Sequence, residues 1–126
     1  MILVDTSVWV DHFRTPNLTL TRSIRNKQVR LHPLVYCELS MGNLPRRETT
    51  LLLLRSQAKP PLIDMTAATD FVEAERLYGL GVGFIHVNLV ASLRRCPAQL
   101  YGLAIDACVR FWSGSRWRTR TPYHDG

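Results

Sequence analysis

Apolar runs broken by single polar residues divide the chain into short strands and amphipathic helices. Ile2, Leu3 and Val4 form an uninterrupted apolar run with a β-branched residue at each end, the pattern of a strand buried on both faces of a parallel sheet. Asp5 ends the run. Thr6 and Ser7 can cap a helix, and Val8, Trp9, His12 and Phe13 follow at helical spacing, so the order predicted is strand, acid, helix. After a loop at Arg14, Thr15, Pro16 and Asn17, the residues Leu18, Leu20 and Ile24 predict a short second helix ending near Asn26, and Val29, Arg30 and Leu31 a second short strand. His32 and Pro33 start a helix, since Pro suits the first helical position; Gly42 and Asn43 stop it.

Further along, a helix is expected from Arg46 to Gln57, closed by Lys59, Pro60 and Pro61. Leu62, Ile63 and Asp64 read as a third strand. Thr66 is the expected cap of a helix through Tyr78, with Phe71, Ala74, Leu77 and Tyr78 on its inner side and Asp70, Glu73, Glu75 and Arg76 on a solvated face. A glycine-rich connector, residues 79–83, leads into an apolar and therefore central helix from Phe84 to Leu93. Its glycines follow no strand and do not fit a dinucleotide-binding loop. Short strands alternating with amphipathic helices argue for an α/β fold with a parallel sheet.

At 126 residues the chain is expected to form one domain, and no apolar run approaches the ~18 residues needed to cross a bilayer. No basic segment precedes the first apolar run, so a signal peptide is not expected and the cytoplasm is the expected location. Cys37, Cys96 and Cys108 have no metal-binding spacing and read as reduced thiols. A net charge of +6 favours an anionic partner such as RNA or DNA. From Leu93 onward, however, six Arg stand against Asp106 and Asp125, so +4 of that charge lies in the last quarter.

Two acids stand out. Asp5 follows a buried strand, and in open α/β sheets the ligand crevice lies beyond the carboxyl ends of the strands. Asp is also a common turn and cap residue, so a structural role stays open. Glu38 lies within the apolar stretch Leu34 to Leu39, where a carboxylate is either turned to solvent or held at a polar site; it reads as functional if it faces Asp5.

The segments M-I-L-V-D-T-S-V-W-V-D-H, H-P-L-V-Y-C-E-L-S-M-G-N-L and R-L-Y-G-L-G-V-G-F-I-H-V-N-L-V-A-S together resemble the PIN-domain family, specifically VapC toxins of bacterial type II toxin–antitoxin pairs. The resemblance runs from Met1 to about Leu93. It implies a PIN-like α/β fold, a short parallel sheet flanked by helices. It also implies an endoribonuclease using Mg²⁺, with Mn²⁺ as a substitute, that cuts RNA, commonly tRNA or rRNA. Such toxins are held inactive by a cognate antitoxin and are often homodimers. By the same resemblance Asp5 and Glu38 are the first and second metal carboxylates and the catalytic acids, with Thr6 or Ser7 adding a hydroxyl contact. Clustered carboxylates repel one another, and a hard cation with oxygen-ligand preference makes their arrangement favourable.

Two departures from the family pattern matter. The third family acid, in a pattern like V-D-A-[HN]-L-L-A-S, falls on His86, which reads as a non-ligating histidine, a substitute metal ligand or a lesion; imidazole suits Mg²⁺ poorly. Asn88, at the next polar position, keeps a hydrogen-bonding amide as an auxiliary. The fourth acid belongs to a segment resembling L-W-T-R-D, where this chain has L-Y-G-L-A-I-D. With suitable codons from Leu100 to Trp112, the frame offset by two bases reads L-W-T-R-D-R-R-L-R-A-V-L. A frameshift in the gene is therefore the favoured origin of the ending. The expected organisation is a PIN-like unit over residues 1–95 that is incomplete and a divergent tail over residues 96–126, with the C-terminal strand and helix disrupted. The functions to be weighed are an endoribonuclease toxin with impaired activity and a non-catalytic remnant that binds antitoxin or RNA. A phosphohydrolase with Asp5 as nucleophile is weaker, because Ser7 stands where such enzymes carry a second Asp.

Overall fold

A computed structural model describes residues 2–95 and 99–101. Three short strands form one parallel sheet: β1 (Ile2–Val4), β2 (Val29–Arg30) and β3 (Gln99–Tyr101), in the order β2-β1-β3. Helices α1 (Thr6–Arg14) and α2 (Leu18–Arg25) connect β1 to β2. Between β2 and β3 come α3 (Pro33–Ser40), α4 (Arg47–Ser56), α5 (Met65–Glu75) and α6 (Phe84–Arg95). The register sets Ile2 opposite Val29 on one side and Gln99 on the other, and Val4 opposite Tyr101. The chain is α/β, as the alternation of elements predicts, and the sheet runs past residue 95 to Tyr101.

β1 is central because it can be buried on both faces: Leu3 and Val4 are fully buried and Ile2 nearly so. Trp9, Val29, Val35, Leu54 and Leu89 complete the deepest layer, and α6 contributes Val87, Val90, Ala91 and Leu93, the central position its apolar sequence predicts. From central β1 the chain passes to β2 at one edge, and from β2 it crosses over to β3 at the opposite edge. The crevice therefore opens at the carboxyl end of β1, where Asp5 stands.

Three expectations need correction. Residues 59–64 carry no regular structure, so Leu62, Ile63 and Asp64 are not a strand. Pro60 and Pro61 remove two ladder donors just before them, and the place beside β2 is taken earlier, by a parallel bridge from Arg30 to Ala58 and a 2.8 Å bond from the Leu31 N–H to the Ala58 carbonyl. Asp64 instead caps α5, accepting from the Ala67 N–H at 2.7 Å, so Thr66 lies inside the helix. That helix ends at Arg76, whose φ of 54° is left-handed; Leu77 and Tyr78 fall outside it, and Ala74 and Tyr78 are exposed rather than inward. At α1 the cap position is Asp5, with no side-chain cap bond, and Thr6 and Ser7 are the first helical residues.

Two histidines hold the backbone. His32 Nδ1 accepts from the Leu34 N–H at 3.0 Å at the start of α3, and His12 Nδ1 accepts from the Asn17 N–H at 2.9 Å. Both are therefore neutral when folded, and burial holds both below the ordinary imidazole value. As the pH falls through about 6.5, the unfolded chain takes up protons that the folded chain refuses, so stability falls with pH. His86, whose pKa is raised, acts in the opposite sense: its contribution is full below the ordinary value and is lost as the pH rises through the folded one. Replacing His12 and His32 together by Asn keeps an acceptor at each place. The urea midpoint of this double variant should fall less between about pH 7 and about pH 5 than that of the parent. An equally steep acid limb in both proteins would contradict this account.

Candidate active site

The cleft at the carboxyl end of β1 measures about 450 Å³ and is lined by Asp5, Thr6, Ser7, Glu38 and His86, together with residues 83–85 from the start of α6. Asp5 reaches it because β1 ends there. Asp5 is 2% exposed, with Oδ2 accepting from the Ser7 hydroxyl at 3.1 Å and Oδ1 lying 3.4 Å from His86 Nε2. Glu38 arrives from α3, on the exposed side of a helix whose other side carries buried Val35 and Leu39. The Thr6 hydroxyl donates to Glu38 Oε2 at 2.9 Å, tying α1 to α3 across 32 positions of sequence. Glu38 thus faces the Asp5 cleft, the condition under which it reads as functional.

The electrostatics follow from this geometry. Burial alone would push the Asp5 carboxyl up; the hydrogen bond and charge of His86, the Thr6 backbone N–H and the Ser7 hydroxyl outweigh it and hold the group below its ordinary value. His86 is raised first by its bond to Asp5, against burial, with the charges of Asp5 and Glu38 adding to the rise. An imidazolium beside an ionised Asp5 is the favoured pairing. When protonated, the histidine supplies positive charge where a third acid would supply negative charge.

Asn88 is not brought to the cleft. It is 4% exposed, and its side-chain amide donates to the Phe84 carbonyl one turn earlier in α6 at 2.9 Å. Asp106, Cys96 and Cys108 lie outside the described residues, as does the offset-frame ending; Cys37 is a free, exposed thiol. Among the described residues, no group of three or more His, Cys, Asp or Glu is arranged to hold a metal ion. The sequence alone does not mark residues 83–85 as a wall of the cleft. The glycine connector ending directly at α6 was the available signal.

Asp5, directly after β1, and Glu38, from α3, meet beyond the carboxyl end of the central strand of a parallel sheet, the place where open α/β folds bind their ligands. No protein-family model matches the chain. It is 36% identical over 93 residues to Ribonuclease VapC32 of Mycobacterium tuberculosis in each of two strains, an overlap that covers 74% of this chain and 75% of the relative. The chain belongs to the VapC family of toxin ribonucleases.

Proposed function

We propose that this chain is an endoribonuclease toxin whose reaction takes place in the Asp5 cleft, with Asp5 and Glu38 holding a divalent cation, Mg²⁺ or Mn²⁺. The observation that carries the reading is the convergence of Asp5, Thr6, Glu38 and His86 on one cleft at the end of β1. The donor set suits a hard cation: Asp5 and Glu38 offer carboxylate oxygens, and Mg²⁺ commonly takes only one or two protein carboxylates alongside water and substrate phosphate. His86 is the third candidate ligand. Its imidazolium form is a competitor for Asp5 Oδ1 and must give way before it can ligate.

When bound, the cation supplies charge neutralisation at the phosphate and a water of lowered pKa. The attacking water gives up a proton as its oxygen bonds to phosphorus, and the departing ribose oxygen takes one as its bond to phosphorus breaks. The chain's own residues set the positions. Ser7 fixes Asp5 through Oδ2, and Thr6 fixes Glu38 through Oε2, leaving Glu38 Oε1 directed by that anchor. Both hydroxyl residues are positioning residues.

Thr6→Val should weaken metal affinity and slow cleavage by about tenfold, the usual scale for losing a group that orients a ligand, while Thr6→Ser should restore both. Cleavage rates titrated with Mn²⁺, beside calorimetric Mn²⁺ binding, check it; a Val variant with unchanged affinity would remove Thr6 from this role. The reading as a whole is tested by incubating the 126-residue chain with mixed tRNA and rRNA in Mg²⁺, Mn²⁺ or EDTA. Cleavage that EDTA abolishes is the expected result.

The same reading carries a cognate antitoxin and a second copy of the chain as partners, tRNA or rRNA as substrate, and the cytoplasm as its place of action. No helix among the described residues is long and apolar enough to cross a membrane. One observation favours a second reading, that of a lapsed toxin that binds antitoxin or RNA without cutting. The contact of His86 with Asp5 already satisfies the buried carboxylate without a metal. RNA retention on the folded chain without cleavage in either metal would select it.

A further inference from the structure

The Thr6–Glu38 hydrogen bond is a ridge between two clefts. On one side lies the acid cleft; on the other lies a second opening of about 610 Å³ that no step of the proposed reaction uses. Thr6 and Glu38 line both. Val10 and Phe13 follow Thr6 along one face of α1 at helical spacing, and Leu39 and Gly42 continue from Glu38 at the end of α3. The walls are therefore largely apolar, and the mouth carries Arg14 and Asn43. Neither side chain makes a hydrogen bond or ion pair among the described residues, and both residues are exposed.

We propose that this second cleft is a nucleobase subsite, in which a base next to the scissile phosphate lies against Phe13, meets Asn43 with its hydrogen-bonding edge, and places a neighbouring phosphate at Arg14. The proposal rests on the reading of the acid cleft as the place where RNA is cut. Given that reading, the nucleotide adjoining the phosphate must leave the acid cleft across one of its edges. The Thr6–Glu38 ridge is an edge with a hollow directly behind it. The hollow lies within the size range of sites for small organic groups. Single-stranded RNA is read through splayed bases that stack on aromatic rings and are hydrogen-bonded along their edges, and an Asn amide offers both a donor and an acceptor for such an edge. Phe13 is held from behind by Trp9, with ring centroids 5.9 Å apart, and by His12 at 6.1 Å. Its ring is thus placed before any base arrives, which lowers the cost of stacking. The cation at the mouth matches a phosphate.

The test uses the full chain with a randomised short RNA and sequencing of the cut ends, for the parent and for Asn43→Asp, Arg14→Gln and Phe13→Leu. Asn43→Asp removes the donor and keeps the shape, so it should shift the base preference at one position beside the cut by about tenfold, as the loss of a specific edge contact does. Arg14→Gln should weaken all sequences alike. A second readout does not depend on cleavage: an oligoribonucleotide carrying 2-aminopurine should lose fluorescence on stacking in the parent and keep more of it with Phe13→Leu and Asn43→Asp. Quenching that depends on these residues without any cleavage would support the subsite and sink the nuclease reading. Cleavage with unchanged preference and unchanged quenching in the Asn43 variant would overturn the subsite and leave the nuclease standing. Because Asn43 is an exposed loop residue, its variants remain informative even if Phe13→Leu fails to fold. An apolar peptide that protects the cleft, with RNA leaving the fluorescence untouched in every protein, would mark a protein-docking surface and overturn the proposal.

Discussion

Asp5→Asn is expected to lower RNA cleavage by about 10²- to 10³-fold, the scale seen when a preorganised charge-stabilising group is removed from a reaction centre. The reason is local. Asp5 is the one acid of the cleft that is itself buried, at 2% exposure, so its charge is poorly screened by water and counts for more than that of exposed Glu38. Asn retains the size and an acceptor for Ser7, and the neighbouring His86 can turn neutral once its partner has no charge. The fold should therefore survive. Cleavage of mixed tRNA and rRNA with Mg²⁺ or Mn²⁺, read beside the thermal midpoint of the same protein, separates lost chemistry from lost structure. Undiminished metal-dependent cleavage by a folded Asp5→Asn chain would remove Asp5 from the reaction.

This prediction could be framed before the fold was known because β1 and its acid are written locally. Three consecutive apolar residues followed by Asp5 have one good solution in an α/β chain, and the start of α3 at His32 and Pro33 is equally local. What could not be read was everything set by contact across the sequence. Thr6 and Ser7 carry the signature of helix caps, yet in the fold their hydroxyls serve Glu38 and Asp5. The cap position passes to Asp5, whose carboxylate is turned to His86 instead. Leu62, Ile63 and Asp64 fail as a strand for a related reason. Three residues give too short a period to outweigh two prolines, and Asp64 satisfies the first turn of α5.

His86 shows the same limit from the other side. The family resemblance implies that an acid belongs there and cannot say what an imidazole does in its place. The structure supplies the contact, 3.4 Å to Asp5, which gives the buried carboxylate a partner from within the chain. Asn88 is placed by helix geometry: two residues beyond His86, it points away from the cleft and binds its own helix.

His86→Asp is therefore expected to exchange an internal cation for an external one. Without metal, two carboxylates would face each other with no positive partner, so the thermal midpoint should fall below that of the parent. With Mg²⁺ or Mn²⁺ the added oxygen ligand and the added negative charge should raise metal affinity on the order of tenfold or more, and the midpoint should climb as metal is titrated in. The parent, with His86 against Asp5, should respond much less. Melting curves across a metal series, with EDTA as the zero point, read this without reference to activity. Activity then discriminates the roles of the histidine. A large gain in cleavage identifies His86 as a lesion in a site that otherwise works. A gain in metal binding with cleavage unchanged leaves His86 a non-ligating neighbour and moves the cause of any impairment to the segment beyond Tyr101. A midpoint indifferent to metal in the Asp variant would mean that Asp5 and Glu38 do not share a cation, and the metal-dependent reading of this cleft would fall with it.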